Sequence, residues 1–521
     1  MPKVARLVPV FLIIISTFLL VLFLSWHLQL GLTRYFDADE FAHLHWAAKM
    51  LEGKRPFIDF QTFFPPGFAI SLMPALLFGW GTTEPFTAAR VMTFLIFLGM
   101  CFCSMLLFWS QRKSLWGAVL AGAILAFLPL PFDKYLEVRP DNLATLLVLI
   151  AVYSQLKWMM LVSRINPKRG YIIWPFVTGL SYSLSYLVLP KTLPNIGVGV
   201  LVMVVYFWPE GKNIQDRLLK LLGGLRWGLT GLIIPIALFI LWALTLGNPA
   251  LVWYSLFTLP VEANKISKYF VMMQDLFFYP NSIYYGVDGW SRGLYVNLAF
   301  WIVGSLFGMY RLVTPFLTAK GEKPKAYGEI LIALQFWIQI AFFVEYVPLK
   351  HPQYLIPIGV FIAWYNADLL VSIWNSIRTV AFLRIFYLMA FIAFGFYITD
   401  VFMEVNSPKV NWTNKILMDK SAELYRTIPK NEYVLDLVGE MLYNPDPYYA
   451  CCIPFGQSME FMSRPLPDLP AVLEQTNTKY ISQVGLERVN TLPWQWQEYI
   501  NKTFEPYNGD KSLLVRKEIF K

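Results

Sequence analysis

The first thirty residues constrain the fold more than any other stretch. After Lys3 and Arg6 an apolar run continues to about Leu30, too long for the core of a signal peptide and without a convincing small-residue cleavage site. It reads as an uncleaved first membrane span. Similar runs recur along the chain, joined by short connections in which Lys and Arg cluster. With 57% hydrophobic and 15% charged residues over 521 positions, the chain falls in the polytopic membrane class. The net charge of +9 does not point to nucleic acid, because the basic residues lie between apolar runs, where they act as topology determinants.

Positive charge is retained in the cytoplasm, so the N-terminus is expected inside and the loop after the first span outside. The same rule applied to each later run gives about eleven crossings within residues 1–399. The segment PPGFAISLMPALLFGWG is too short for a full crossing and carries Pro65, Pro66 and Pro74, so it is expected to lie at the outer surface. After Asp400 the composition changes, and the β-rich pieces EYVLDLV, TKYISQV and SLLVRKE alternate with possible helices. The expected architecture is mainly α: a polytopic helical bundle in the plasma (inner) membrane, with residues 400–521 forming a small α/β domain on the outer face. Cys101 and Cys103 lie within an apolar run, and the adjacent Cys451 and Cys452 have neither zinc-ligand nor redox-motif spacing, so no disulfide is argued from the sequence.

Chemistry concentrates in a charged island from Arg34 to Gly67. Asp37, Asp39 and Glu40 fall within four positions, and a helix starting near Asp39 puts His43 on the same face. A second outer loop, PFDKYLEVRPDN, supplies Glu137, Arg139 and Asp141. Lys191, the Asn248 to Arg292 loop, and Lys350 with His351 and Tyr354 land on the same side without having been used to choose the topology. Carboxylates from two loops with cations from others suit a site that activates a hydroxyl and neutralises a departing phosphate. The outer side lacks nucleotide sugars and ATP, so a transferase working there needs a lipid-linked donor. Each residue also has a plainer reading. Asp39 is a base or a helix N-cap; Glu40 orients an acceptor or pairs with Lys49 or Lys54; His43 joins Asp39 on a metal or packs among aromatics. Glu137, Arg139 and Asp141 form a site or a self-satisfied network, and Lys191 pairs a phosphate or snorkels.

The Asp39-Glu40 pair just after the first span, the helix-like AAKMLEGKRPFIDF and the following PPG resemble the first loop of the C-type glycosyltransferases. The closer similarity is to the protein O-mannosyltransferase and lipid A aminoarabinose transferase families, which use polyprenyl-phosphate sugars. VRPDN in the second loop, HPQYLIPI opening a late span and the soluble tail extend the resemblance over the whole membrane part. It implies an inverting membrane glycosyltransferase with Asp39 as the first-loop acid beside Glu40, and with Arg139 and Asp141 from the second loop. Asp37 makes a D-x-D-E cluster, which leaves open whether Asp37 or Asp39 is the base; Glu137 and His43 are further acceptor or base candidates. Lys191, Lys350 and Tyr354 are assigned to the donor phosphate by position. The implied partners are a polyprenyl-phosphate sugar, membrane lipids and an acceptor glycan, lipid or protein. No resident cofactor is required, and the role of a divalent cation is left open. A transporter or flippase predicts mid-span charges and an inverted repeat, whereas charges here crowd at span ends. A non-catalytic assembly protein leaves the two acidic loops unexplained.

Overall fold

A computed structural model of the chain describes residues 2–162, 170–208, 213–265, 291–317, 323–347, 351–452, 459–485 and 487–517. The membrane part begins with α1 (Pro2–Thr33), α2 (Ala38–Leu51), α3 (Gly67–Leu76), α4 (Glu84–Arg112) and α5 (Leu115–Phe127). It continues through α6 (Phe132–Tyr135), α7 (Pro140–Val162), α8 (Gly170–Val188), α9 (Leu193–Phe207) and α10 (Ile214–Thr245). The later long helices are α11 (Arg292–Leu317), α12 (Lys323–Tyr346), α13 (Ile356–Ile377) and α14 (Ala381–Asn406). Among the described residues, nine helices are long and apolar enough to cross a membrane. The shorter α5 and α8 occupy the places of the other two expected crossings.

At 13 residues α5 spans only about 20 Å, less than the hydrocarbon thickness. It is buried from Trp116 to Phe127 and surrounded by α1, α4 and α13, so most of its length meets protein. The short apolar segment after the charged island forms α3, which packs on α2 and α4 and against the end of α8. Its first residue must be small, because a Cβ on Gly67 would stand 2.5 Å from the Leu187 carbonyl oxygen.

The helix carrying the last span runs to Asn406, past the expected boundary at residue 399, and α15 (Lys415–Thr427) follows it. The soluble part holds a four-stranded sheet of β1 (Val434–Asp436), β2 (Tyr480–Ser482), β3 (Phe504–Tyr507) and β4 (Asp510–Arg516), in the order β1-β2-β4-β3. β1 pairs parallel to β2 (Val434 with Tyr480), and β4 runs antiparallel to both β2 and β3. Strands β1, β2 and β4 lie in the three β-rich pieces marked in the sequence. Val438, Leu442 and Tyr443 of this domain share a buried apolar cluster with Phe41 and Leu44 of α2, Phe86 of α4 and Val138. The soluble domain therefore sits directly on the first loop.

Buried ion pairs tie that loop to the bundle. Glu40 is fully buried, and both its oxygens accept from Arg90 of α4, one contact at 2.6 Å. It also accepts from the backbone N–H of Val138 at 2.9 Å and of Asp37 at 2.8 Å. The Arg90 guanidinium donates onward to the carbonyls of Gly31 (2.8 Å) and Tyr35 (3.0 Å) at the end of α1. Nearby, Lys409 pairs with Asp133 at 2.9 Å, and Arg34 with Glu137 at 2.6 Å. The Glu40 partner expected from the sequence, Lys49 or Lys54, is thus replaced by Arg90. Lys49 instead donates to the Asn444 carbonyl of the soluble domain at 2.6 Å. At the opposite end of the bundle, Arg112 and Arg311 both pair with the buried Asp368.

Removing one member of a buried pair leaves the other charge uncompensated, at about 3–5 kcal/mol. Glu40→Gln is therefore expected to lower the thermal unfolding midpoint in detergent markedly. Glu40→Leu combined with Arg90→Met should recover much of the loss, because no lone charge then remains buried. Tryptophan fluorescence on heating measures both.

Candidate active site

Helix α2 begins where an N-cap is available, and Asp37 takes that role. Its side chain accepts from the Asp39 N–H at 3.0 Å while Glu40 accepts from the Asp37 N–H, a complete capping box. Capping is thereby assigned to Asp37, and Asp39, one residue on, is left free for other contacts. Successive helix positions differ by about 100° around the axis, so with Glu40 turned into the bundle Asp39 faces elsewhere. Its side chain is 47% exposed, and one oxygen lies 2.9 Å from Arg139.

Arg139 is the centre of the arrangement. Besides Asp39 it contacts Glu137 at 3.1 Å, Asp37 at 3.8 Å and Asp141 at 3.8 Å. Asp39 and Asp141 thus stand on one guanidinium, well within the reach of a shared substrate. The buried Nε of Arg139 has no hydrogen-bond partner among the described residues and lies on the Asp141 side. Lys134 joins from α6, 2.7 Å from Glu137 and 3.8 Å from Asp37.

Glu137 is not placed to act as a base. It is fully buried between Lys134, Arg34 and Arg139. Burial alone would raise its carboxyl, but these cations, Lys134 first, hold it far below the usual carboxylate range. Its role is to fix Lys134 and Arg139 in place, the self-satisfied network weighed from the sequence. The Asp39 carboxyl is also raised by its crowded setting, and Arg139 more than offsets this, with lesser help from His43 and Lys134, so it lies below its ordinary value. His43 is buried against Trp46 and Phe68 at edge-on ring contacts of 5.3 and 5.0 Å, and burial lowers its pKa to about 3. It packs among aromatics, the plainer of its two sequence readings; among the described residues the one group of three metal-type ligands is His45, Cys451 and Cys452.

Beside the charged cluster opens an apolar groove. Asp141, Lys191 and Tyr354 stand among its lining residues, with Leu149, Phe343 and Phe361 making apolar walls. The Lys191 ammonium lies 3.7 Å over the Tyr354 ring. His351 is next to Tyr354, and burial followed by the nearby Arg139 and Lys134 cations lowers its pKa. Lys350 lies outside the described residues. Arg292 is remote from this cluster and pairs on the surface with Asp400 and Glu404.

Sequence reasoning did not single out Lys134 or Arg488. Lys134 stands three residues before Glu137, a helical pairing distance that could have been read. Arg488 comes from the soluble domain, where it donates to the Leu437 carbonyl at 3.1 Å. Burial lowers its pKa, and Asp39 and Asp37 lead the carboxylates that oppose that shift. No local motif marks it.

Neither a known protein-family profile nor a curated protein sequence matches the chain. Solved structures do. ArnT from Cupriavidus metallidurans in the apo state superposes with a TM-score of 0.57 at 14% identity, covering 95% of this chain and 97% of that one. The same protein bound to undecaprenyl phosphate gives 0.52 at 15% identity with the same coverage. The archaeal oligosaccharyltransferase AglB from Archaeoglobus fulgidus, in complex with an inhibitory peptide and a dolichol-phosphate, gives 0.53 at 13% identity over 89% of this chain and 69% of that one. The chain shares the fold of these structures, a polytopic helical bundle, and here it carries a small C-terminal sheet domain.

Proposed function

We propose that the protein is an inverting glycosyltransferase that moves a sugar from a polyprenyl-phosphate donor to an acceptor on the outer face of the plasma membrane. The observation that carries this is the junction of an apolar groove with a cationic cluster holding an accessible carboxylate. Asp141, Lys191 and Tyr354 line the groove at that junction, while Arg139 lies 3.8 Å from Asp141 and 2.9 Å from Asp39. The groove suits a prenyl chain, and Arg139 with Lys191 suits the phosphate; the ligands named for the ArnT and AglB structures, undecaprenyl phosphate and dolichol-phosphate, have this chemistry. Residues 1–399 would form the transferase domain, with residues 400–521 outside, closing the site through Arg488.

In the reaction, the acceptor oxygen attacks the anomeric carbon as the bond from that carbon to the phosphate oxygen breaks. Asp39 takes the acceptor proton, and the polyprenyl phosphate leaves with its charge held by Arg139 and Lys191. A donor phosphate reaching Arg139 competes with Asp39 for the guanidinium and restores basicity to the carboxylate as the substrate settles. Asp37 and Asp141 with Asp39 would be a donor set for a divalent cation, but the Arg139 guanidinium already stands within 3.8 Å of all three. A cation does not fit that arrangement, and no step is routed through one.

Asp39→Asn keeps shape and removes the base, so transfer is expected to fall about a hundredfold or more while polyprenyl-phosphate binding and detergent stability stay near wild type. Lys191→Ala should instead weaken lipid binding about tenfold, the worth of one charge-assisted contact. Asn also caps helices well, so Asp37→Asn leaves α2 intact. Loss of turnover in Asp37→Asn with retention in Asp39→Asn would assign the base to Asp37, and retention in both would remove this mechanism.

The pH dependence follows from the same electrostatics. Asp39 titrates below its ordinary value, so the base is ionised above that value and loses activity only as the medium falls through the lowered pKa. His43 stays neutral above about 3 and contributes no limb near its usual value. The acidic side of the turnover profile should be flat between about pH 5 and 7. A limb centred near pH 6.5 would point to a histidine as the base.

A further inference from the structure

His45 sits two residues beyond His43 but on the other side of α2, against the soluble domain. It is fully buried, and its Nε2 lies 2.9 Å from an Asp446 oxygen. Its Nδ1 is buried and has no hydrogen-bond partner among the described residues. With Nε2–H donated to Asp446, Nδ1 carries a lone pair into the protein interior, and an acceptor left unmatched there costs about 1–3 kcal/mol.

Two sulfurs lie beside the His45 ring. Cys451 and Cys452, 4% and 2% exposed, are joined as a disulfide between neighbouring residues. Both Sγ atoms and a ring nitrogen of His45 lie within 4.8 Å of one another. The backbone is shaped around this contact. Cys452 adopts φ +78°, a left-handed conformation uncommon for a side-chain-bearing residue and often found at functional sites. Gly439, at φ +100°, leaves the space beside it, since a Cβ there would lie 3.0 Å from both the Cys452 Sγ and the His45 Cβ.

The disulfide accounts for the sulfurs and leaves the imidazole nitrogen unexplained. A carboxylate holding one ring nitrogen while the other is unpartnered, with two sulfurs beside the ring, is compatible with the outer-sphere pattern of a metal-ligating histidine. We propose that His45 Nδ1 with the Cys451 and Cys452 thiolates binds one thiophilic d10 cation of the Zn²⁺ class, and that the disulfide is the metal-free, oxidised form of this site. Three protein donors leave one tetrahedral position for water. A dithiol reductant supplies two electrons and two protons to open the disulfide and becomes a disulfide itself. Zn²⁺ binding to the two thiols then releases two protons to solvent. The bound cation bridges α2, the helix that carries Asp39, to the soluble domain, and oxidation removes that bridge.

The test uses the full-length protein in detergent, in a Cys101→Ser, Cys103→Ser background so that the vicinal pair supplies the only thiols. After reduction with dithiothreitol and desalting, Co²⁺ is titrated as an optical probe and then displaced with Zn²⁺. One equivalent of Co²⁺ with sulfur-to-cobalt charge-transfer absorption is expected in the reduced protein, and none in the oxidised protein. His45→Gln and Cys452→Ser should each weaken binding by tenfold or more. The reduced and oxidised forms of one protein are compared directly, so the result does not depend on whether a variant folds. A reduced protein with two titratable thiols that takes up no Co²⁺ or Zn²⁺, or a His45→Gln variant that binds as tightly as its parent, overturns the proposal. Neither readout involves sugar transfer, so failure here is separate from failure of the proposed activity.

Discussion

The paired charges of Glu40 and Arg90 set the geometry on which the rest of the site depends. Arg90 holds the end of α1 through two carbonyls, while Glu40 holds the N-terminus of α2 and the backbone of the second loop at Val138. Burying such a pair is favourable only when the remaining donors and lone pairs are met, and here they are. Burial pushes the Glu40 carboxyl up, and Arg90 leads the groups that oppose this. The residue that looked chemically interesting from its place beside Asp39 is thus the anchor that turns Asp39 outward.

From that anchor the charges alternate. Asp37, Asp39, Glu137 and Asp141 surround Arg139, and Lys134 and Arg34 pair in addition with Glu137. An arrangement of this kind is organised before substrate arrives, because each cation is already oriented by a carboxylate that cannot move far. The histidines near it, His43 and His351, are pushed by burial toward their neutral forms and add no charge to the balance. The soluble domain rests on α2 through Val438 and Leu442.

The helical bundle, the C-terminal sheet domain and the convergence of Asp39 with Arg139 and Asp141 were legible because each rests on a local pattern: apolar runs, β-rich pieces, and charges placed beside span ends. What escaped is long-range pairing. Proximity in sequence offers Lys49 and Lys54 to Glu40, yet its partner is fifty positions away, and Lys49 is committed to the soluble domain. Spacing within a segment carries no information about which side chain a fold brings to it. The same holds for Arg488, and for the vicinal cysteines, whose separation matches no motif but whose neighbourhood includes His45.

The central claim is that the apolar groove and the Arg139 cluster together hold a polyprenyl phosphate. A cryo-EM structure of the detergent-solubilised protein with undecaprenyl phosphate tests it most directly. The account predicts phosphate density between Arg139 and Lys191, with the first prenyl units running along Leu149 and Phe361. Phosphate bound elsewhere, such as beside Arg112 and Arg311 at the opposite end of the bundle, with the groove empty, would contradict it.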